Sequence, residues 1–293
     1  MNIVLTGATG FIARHLIPKL SAEGHELRTL GRRPVEPLPF FEWDSSREPP
    51  AAALEACDAV VNLAGENVDQ RWTSEAKRRL RESRIAGTRH LVAALAKKDR
   101  RPAVLLNASA VGIYGSRGDE LLTETSSHGS GFLADLTVEW EAVTHSAEPL
   151  GIRVVNLRFG LVLGRDGGAL PKMMMPFRLR MGGKLASGKQ WLPWVHIEDA
   201  TNLVLFALHN AGVRGPLNVV APNPVTNADF TRTLAAVLHR PAFMTVPAFA
   251  LKIALGEMAE AALSSERVVP AAAQAAGFHF TYPELGPALR ELG

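Results

Sequence analysis

Hydrophobic positions along this chain follow two alternating patterns. Short, almost unbroken apolar runs occur at "NIVLTG", "HELRTLG", "DAVVNLAG", "AVLLNAS", "IRVVNLRFG" and "PLNVVA", with a further short one at "LPFFEW". Between them lie stretches whose apolar residues return every third or fourth position. "FIARHLIPKLSAEG" predicts an amphipathic helix closed by Gly24, and "SEAKRRLRESRIAGTRHLVAALAKK" a helix in one or two pieces. A long helix is expected from "GSGFLADLTVEWE" to about Glu148, and another over "NADFTRTLAAVL" with Asn227 as its N-cap. Strands that are apolar throughout and separated by helices form a parallel sheet covered on both faces. The expected fold is therefore α/β: a Rossmann-type, doubly wound parallel sheet.

The pattern breaks after Gly164. "GRDGGALPKMMMPFRLRMGGKLASGKQWLPW" is rich in Gly, Met, Pro and Trp and has weak periodicity; a second departure begins near Asn223. The expected organisation is a dinucleotide-binding core over residues 1–165 that returns at about 196–222. Residues 166–195 and 223–293 would form a small substrate-side unit over the carboxyl edge of the sheet, where such folds bind ligands.

Composition narrows the partners. The 293 residues are 47% hydrophobic, enough for one large core and a smaller one, and the net charge is +3. The basic runs "KRRLR" and "KKDRR" contain no aromatics and read as solvated faces, so no nucleic-acid partner is expected. The single cysteine, Cys57, excludes an internal disulfide and a Cys-based zinc site. No apolar run is long enough to suggest a membrane span, and because "NIVLTGATG" already reads as a strand and its turn, no signal peptide is expected. The expected setting is reducing and cytoplasmic, with a small-molecule substrate and a monomer or homodimer.

"TGATGFIA" follows the first strand and opens a helix. Its glycines let the backbone turn tightly and approach a pyrophosphate, while the helix start offers free N–H groups and a positive dipole. Gly7, Thr9, Gly10, Phe11 and Ile12 are the candidate cofactor residues here, with Ala13 in the place of a third glycine. The second strand ends "LGRRP" rather than in an acid. Gly31 leaves room, and Arg32 and Arg33 suit a ribose 2′-phosphate, since guanidinium groups make planar charge-assisted bonds to phosphate oxygens. The expected cofactor is NADP(H).

These segments, with "VVNLAG", "RIAGTRHLV", "NASAVGIYG", "LRFGLVLG", "WLPWVHIEDA" and "LNVVAPNPVTNADF", resemble the extended short-chain dehydrogenase/reductase superfamily, in its branch of NAD-dependent epimerases and dehydratases. The likeness covers nearly the full length. "AGENVDQRWT" and "FHFTYPEL" are similar to an atypical epimerase-like subgroup. The resemblance implies that Asp44 holds the adenine amino group and that Leu63, Ala64 and Gly65 lie along the adenosine ribose and pyrophosphate. Phe159, Gly160, Leu161 and Val162 would edge the nicotinamide. Ser109 matches the superfamily's catalytic Ser/Thr and Tyr114 the tyrosine of its "YG" turn. Dimers of such proteins form through the helices containing Arg84 to Ala96 and Phe132 to Ala147.

One feature of the superfamily is missing. Its members trade a proton through a Tyr whose pKa is lowered by a Lys four residues on. Phe132 and Leu136 stand in those places, and no Tyr-x-x-x-Lys occurs anywhere in the chain. Two readings follow. In one, the protein is an NADP(H)-dependent epimerase-like oxidoreductase with a non-standard acid/base, Tyr114 and Ser109 being the candidates and the substrate of nucleotide-sugar type. In the other, it binds NADP(H) without hydride chemistry, as a redox sensor or scaffold. "GKLASGKQ" imitates a phosphate-binding loop but ends in Gln190 and is followed by Pro193, which argues against a helix there.

Overall fold

The computed structural model describes residues 1–293 and contains a seven-stranded sheet. Its strands are β1 (Asn2–Thr6), β2 (Glu26–Gly31), β3 (Phe40–Glu42), β4 (Ala59–Asn62), β5 (Val104–Ala110), β6 (Arg153–Phe159) and β7 (Gly215–Val219). The spatial order is β7-β6-β5-β4-β1-β2-β3, and every neighbouring pair is parallel. From β1 the chain winds out through β2 to β3, returns to β4 on the other side of β1, and winds out the opposite way. That reversal opens a crevice at the carboxyl ends of β1 and β4.

The strands alternate their apolar residues between two layers. Ile3, Leu5, Leu106 and Leu157 face helices α1 (Phe11–Ala22) and α6 (Ile197–His209). Val4, Val60, Leu105 and Val154 face the opposite layer, where Leu91 and Leu95 belong to α3 (Gly87–Ala96). Each such buried side chain contributes about 1.5–3 kcal/mol relative to exposure. Helix α2 (Ser74–Arg81) runs into α3 through one wide π turn, Glu82–Ala86, so the expected one or two pieces are a single helix with a bulge. Helix α4 (Phe132–His145) lies on the same side of the sheet, with Leu136 and Trp140 among its buried residues.

A second core joins α5 (Leu170–Arg178), α7 (Asn227–Leu238) and the final helix Leu285–Leu292 through Met174, Phe177, Trp194, Phe230, Leu234 and Leu289. The C-terminal segment is shared between the two cores, because Ala272, Ala273, Phe278 and Phe280 pack back against the α1/α6 layer. Helix α8 (Ala248–Leu255) buries none of its residues, and Phe249 and Ile253 are 67% and 72% exposed.

One local expectation needs correction. Asn227 is not the cap of α7: Thr226 is, accepting from the Asp229 N–H at 3.2 Å, while the Asn227 side chain accepts from the Leu185 N–H at 2.8 Å. The glycines at 164, 167 and 168 do more than make a loop. Added Cβ atoms there would fall 2.4, 2.4 and 2.8 Å from the Phe11 ring, so their bareness makes the slot in which that ring packs. Gly183–Leu185 of the imitation phosphate loop is a strand paired with Met244–Val246. No helix is long and apolar enough to cross a membrane.

Candidate dinucleotide site and the polar network beside it

Gly7 sits at φ +66°, where a side chain is strained, and a Cβ there would lie 2.6 Å from the Leu63 carbonyl oxygen. The turn thus brings the end of β1 against the end of β4 at the point of strand reversal. The Gly10 N–H donates to the Gly7 carbonyl at 2.8 Å, closing the turn, and α1 starts with no side-chain cap. Its first N–H groups and dipole are left for an anion.

Gly7, Thr9, Gly10, Arg32, Arg33, Asp44, Leu63, Ala64 and Gly65 all line one cleft, with Gly31 between them. A Cβ on Gly31 would meet nothing within 4 Å, so the glycine keeps open space rather than relieving a clash. Arg32 and Arg33 are exposed at the rim, and neither is paired with a carboxylate. Asp44 accepts from the Ser46 N–H at 2.8 Å and from its hydroxyl. Those bonds hold its carboxyl below the usual range, with Arg47 and Arg32 adding to the effect. A glycine cradle, an uncapped helix start, open space beside a strand end and two unpaired guanidiniums fit a dinucleotide carrying an extra phosphate.

The other selected residues lie outside this cleft. Phe11 turns its ring to the 164–168 loop, and Ile12 packs on the α1/α6 core. Phe159 ends β6, and beyond it the chain is stitched down: Gly160 N–H donates to the Val219 carbonyl at 3.2 Å and Leu161 N–H to the Pro193 carbonyl at 2.7 Å. Leu161, Val162 and Leu163 then pair with Trp194, Val195 and His196.

Ser109 and Tyr114 belong to a closed network. The Ser109 hydroxyl donates to Glu141 Oε1 at 2.5 Å, and Arg158 grips both Glu141 oxygens at 2.9 and 2.8 Å. Arg158 Nη1 donates to the Tyr114 hydroxyl at 2.8 Å, which itself donates to Asn218 Oδ1 at 2.7 Å. The Asn218 N–H donates to Glu124 Oε1 at 3.0 Å. Tyr114 is 0% exposed. Its burial pushes the phenol pKa up, against the opposing pull of Arg158. Glu141 outweighs the burial that would lower the Arg158 pKa, and the net shift is upward.

The register explains the network. Ser109, Arg158 and Asn218 occupy one row across β5, β6 and β7. Two residues earlier, Thr6, Asn62, Asn107 and Asn156 form another row. In it Thr6 donates to Asn62 at 2.6 Å and Asn62 to Asn107 at 2.6 Å.

Phe132 and Leu136 form an apolar cluster. Leu136 is 2% exposed and packs with Trp72, Leu80, Ile85, Phe132, Leu133, Met258 and Ala261. The Phe132 ring meets Trp72 edge-on at 5.3 Å between centroids, with the Lys77 ammonium 5.1 Å from its centre.

The model of the NAD dependent epimerase/dehydratase family matches residues 3–220. The chain belongs to that family. A domain of unknown function, DUF1731, matches 246–292. The epimerase family protein YfhF of Bacillus subtilis is 40% identical over 100% of this chain and 98% of its own length. The Arabidopsis thaliana epimerase family protein SDR39U1 homolog, chloroplastic, is 38% identical over 100% of this chain and 86% of its own. The crystal structure of human epimerase family protein SDR39U1 (isoform 2) with NADPH superposes with a TM-score of 0.90 at 36% identity, covering 100% of this chain and 99% of that one.

This epimerase-family chain holds functional candidates that sequence reasoning missed. Arg158 and Glu141 had a signal: a charged residue inside the apolar strand "VVNLRF" must be paired. The buried asparagine row was also visible, as an Asn in each of "VVNLAG", "LLNAS" and "VVNLRF". Glu266 had none. Burial pushes its carboxyl up to about 7 despite a hydrogen bond from Ser264. At the opposite end of the sheet, Glu23, His25 and His209 gather as a surface cluster.

Proposed function

We propose that this epimerase-family protein binds NADP(H) across the β1/β4 crevice without the proton relay of a Tyr–Lys pair. The observation that carries the reading is the unpaired Arg32 and Arg33 beside Gly31, at the rim of a cleft floored by the Gly7–Gly10 turn. The NADPH in the human relative's crystal structure supports it. Arg32 and Arg33 would take the 2′-phosphate, the start of α1 would face the pyrophosphate, and Asp44 would keep a carboxylate oxygen for the adenine. When bound, the cofactor supplies a hydride donor or acceptor. Neither Phe132 nor Leu136 can move a proton to match it, and the Tyr114 hydroxyl is engaged in both directions. Lost acid–base help costs roughly 10²–10⁴-fold in rate. The role best supported is therefore cofactor binding, read out through the segments around the cleft.

Calorimetry with NADPH, NADP⁺, NADH and NAD⁺ tests the cofactor. Arginine–phosphate bonds are worth roughly 1.5–3 kcal/mol each, so changing both Arg32 and Arg33 to Ala should remove most of a preference of about a hundredfold. Equal wild-type affinity for NADPH and NADH would overturn the reading.

A second reading, an oxidoreductase with a different acid/base, has Glu266 as its one buried carboxyl pushed up to about 7, a range that suits proton transfer at neutral pH, but Glu266 does not line the cofactor cleft. A panel of carbonyls and sugar nucleotides separates the two. Turnover with NADPH that vanishes in Glu266→Gln supports the enzyme; its absence throughout supports the binding role.

A further inference from the structure

We infer that Arg84 binds the far half of the cofactor, as a cation for the phosphate and ribose oxygens on the nicotinamide side. This rests on the reading that NADP(H) occupies the cleft.

The argument begins with the helix. Between Ser74 and Ala96 the α geometry is interrupted once, by the π turn Glu82–Ala86, and Arg84 is the central residue of that turn. Such wide turns rotate the residues they contain away from the regular helical faces and recur at functional sites. Here Glu82 and Ser83 of the turn line the cleft, and Arg84 reaches the cleft residue Gly65. Its guanidinium lies against Gly65, which lines the cleft just past β4: a Cβ on Gly65 would fall 3.2 Å from Cζ and from Nη2. Gly65 has no positive φ to require glycine, so the space taken by the guanidinium is what its missing side chain provides.

The guanidinium is supported but not satisfied. Its Cζ lies 5.2 Å from the centre of the Trp140 ring, and the Trp140 indole N–H is anchored on Thr88 Oγ1 at 2.8 Å. That fixed aromatic platform suits a planar cation. The one hydrogen bond Arg84 makes through its side chain is a long 3.4 Å contact to the Leu80 carbonyl. It has no salt bridge, and the neighbouring Glu66 is engaged by Arg79 at 3.6 Å and Gln70 at 3.4 Å. Burial lowers the Arg84 pKa to about 10, which leaves it charged at neutral pH. A guanidinium has five N–H donors, and a largely desolvated one with a single weak partner is costly unless another acceptor arrives.

Position identifies that acceptor. Arg32 and Arg33 stand at the end of β2, on one side of the β1/β4 crevice; Arg84 stands beyond β4, on the other. A dinucleotide with its 2′-phosphate at Arg32 and Arg33 and its pyrophosphate running from the start of α1 past Gly65 would extend its other half away from β2, to the side of the crevice where Arg84 stands. On α4, Trp140 follows Leu136 by one turn, so Arg84 brings charge from the facing helix where α4 itself offers an apolar side chain.

The test compares two probes by calorimetry: NADPH, and adenosine 2′,5′-bisphosphate, which lacks the nicotinamide half. Arg84→Ala should weaken NADPH roughly tenfold or more while leaving the bisphosphate within about twofold. Arg84→Lys should recover part of the loss, and Arg84→Gln little. Bisphosphate binding doubles as the check that each variant is folded. Unchanged NADPH affinity in Arg84→Ala, or an equal loss for both probes in Arg84→Gln, overturns the assignment of Arg84. Wild type that fails to bind the bisphosphate overturns the cleft reading itself, and this proposal with it.

Discussion

A phenol shuttles protons when its hydroxyl has a free side toward the substrate and a pKa drawn toward neutrality. Tyr114 has neither: its hydroxyl lies between Arg158 and Asn218, and its pKa is shifted upward. We expect Tyr114→Phe to lower stability by roughly 1–3 kcal/mol, because it strips a partner from two buried groups. NADPH affinity should stay within about twofold. Denaturant melts and calorimetry on the same samples check both, and turnover lost at unchanged stability would contradict the network role. Glu266 gives a pH signature. Its folded pKa, about 7, lies above the ordinary 4.5 of a solvated glutamate, so the folded state holds the proton that the unfolded chain has released between those values. Its contribution is fully present below about pH 4.5 and is lost as pH rises through about 7, on the order of 3 kcal/mol in all. Glu266→Gln should therefore become steadily more stable relative to wild type from pH 4.5 to 7 in thermal melts. Parallel curves would show that the carboxylate is solvated.

Elements were legible in the sequence to different degrees, for physical reasons. All seven strands and the α1 turn follow from apolar runs and from glycines whose backbone needs are local: Gly7 must adopt φ +66°, and that need does not depend on distant residues. The cleft residues from Gly7 to Gly65 were legible because each sits at a strand end, and strand ends of a doubly wound sheet converge. What periodicity did not reveal depends on register across strands. Ser109 reads as a free hydroxyl until β6 sets Arg158 beside it. The π turn was invisible because Glu82–Ala86 contains neither Gly nor Pro, and the contacts of Arg84 with Gly65 and Trp140 exist only in the folded chain. The cap of α7 failed similarly. Thr226 and Asn227 are both good caps by type, and the Leu185 N–H, which donates to the Asn227 side chain, decides between them. Thr226→Ala should cost about 0.5–2 kcal/mol through loss of the cap. Asn227→Ala should cost at least as much, by leaving the Leu185 N–H unpaired, and should loosen Gly183–Leu185 as well. Hydrogen exchange at Leu185 distinguishes the two.

At the scale of the whole molecule, two separate segments close on the loop that follows Gly65. Lys172 of α5 pairs with Asp69, and Lys77 pairs with Glu257 just after α8. Arg71 packs on Gly256, where a Cβ would lie 3.1 Å from its Nε, and Met258 and Ala261 join Trp72 and Phe132. The ion pairs are exposed, and such pairs contribute only about 0–1 kcal/mol each, less at high salt. Helix α8 adds no buried residue to hold itself down. We propose that these segments form a lightly latched cap whose closure follows the state of the cleft, since the loop from Glu66 to Thr73 begins at a cleft residue and ends in the latch. Saturating NADPH should then slow amide exchange in three places together: residues 6–10, the 66–73 loop and α8. Raising the salt without cofactor should speed exchange in α8 and spare the sheet. Breaking one latch with Lys77→Ala should reproduce the salt effect and leave binding of adenosine 2′,5′-bisphosphate intact. If NADPH protects residues 6–10 and α8 exchanges at its free rate, the cap is not coupled to the cofactor, and α8 serves some purpose other than reporting on it.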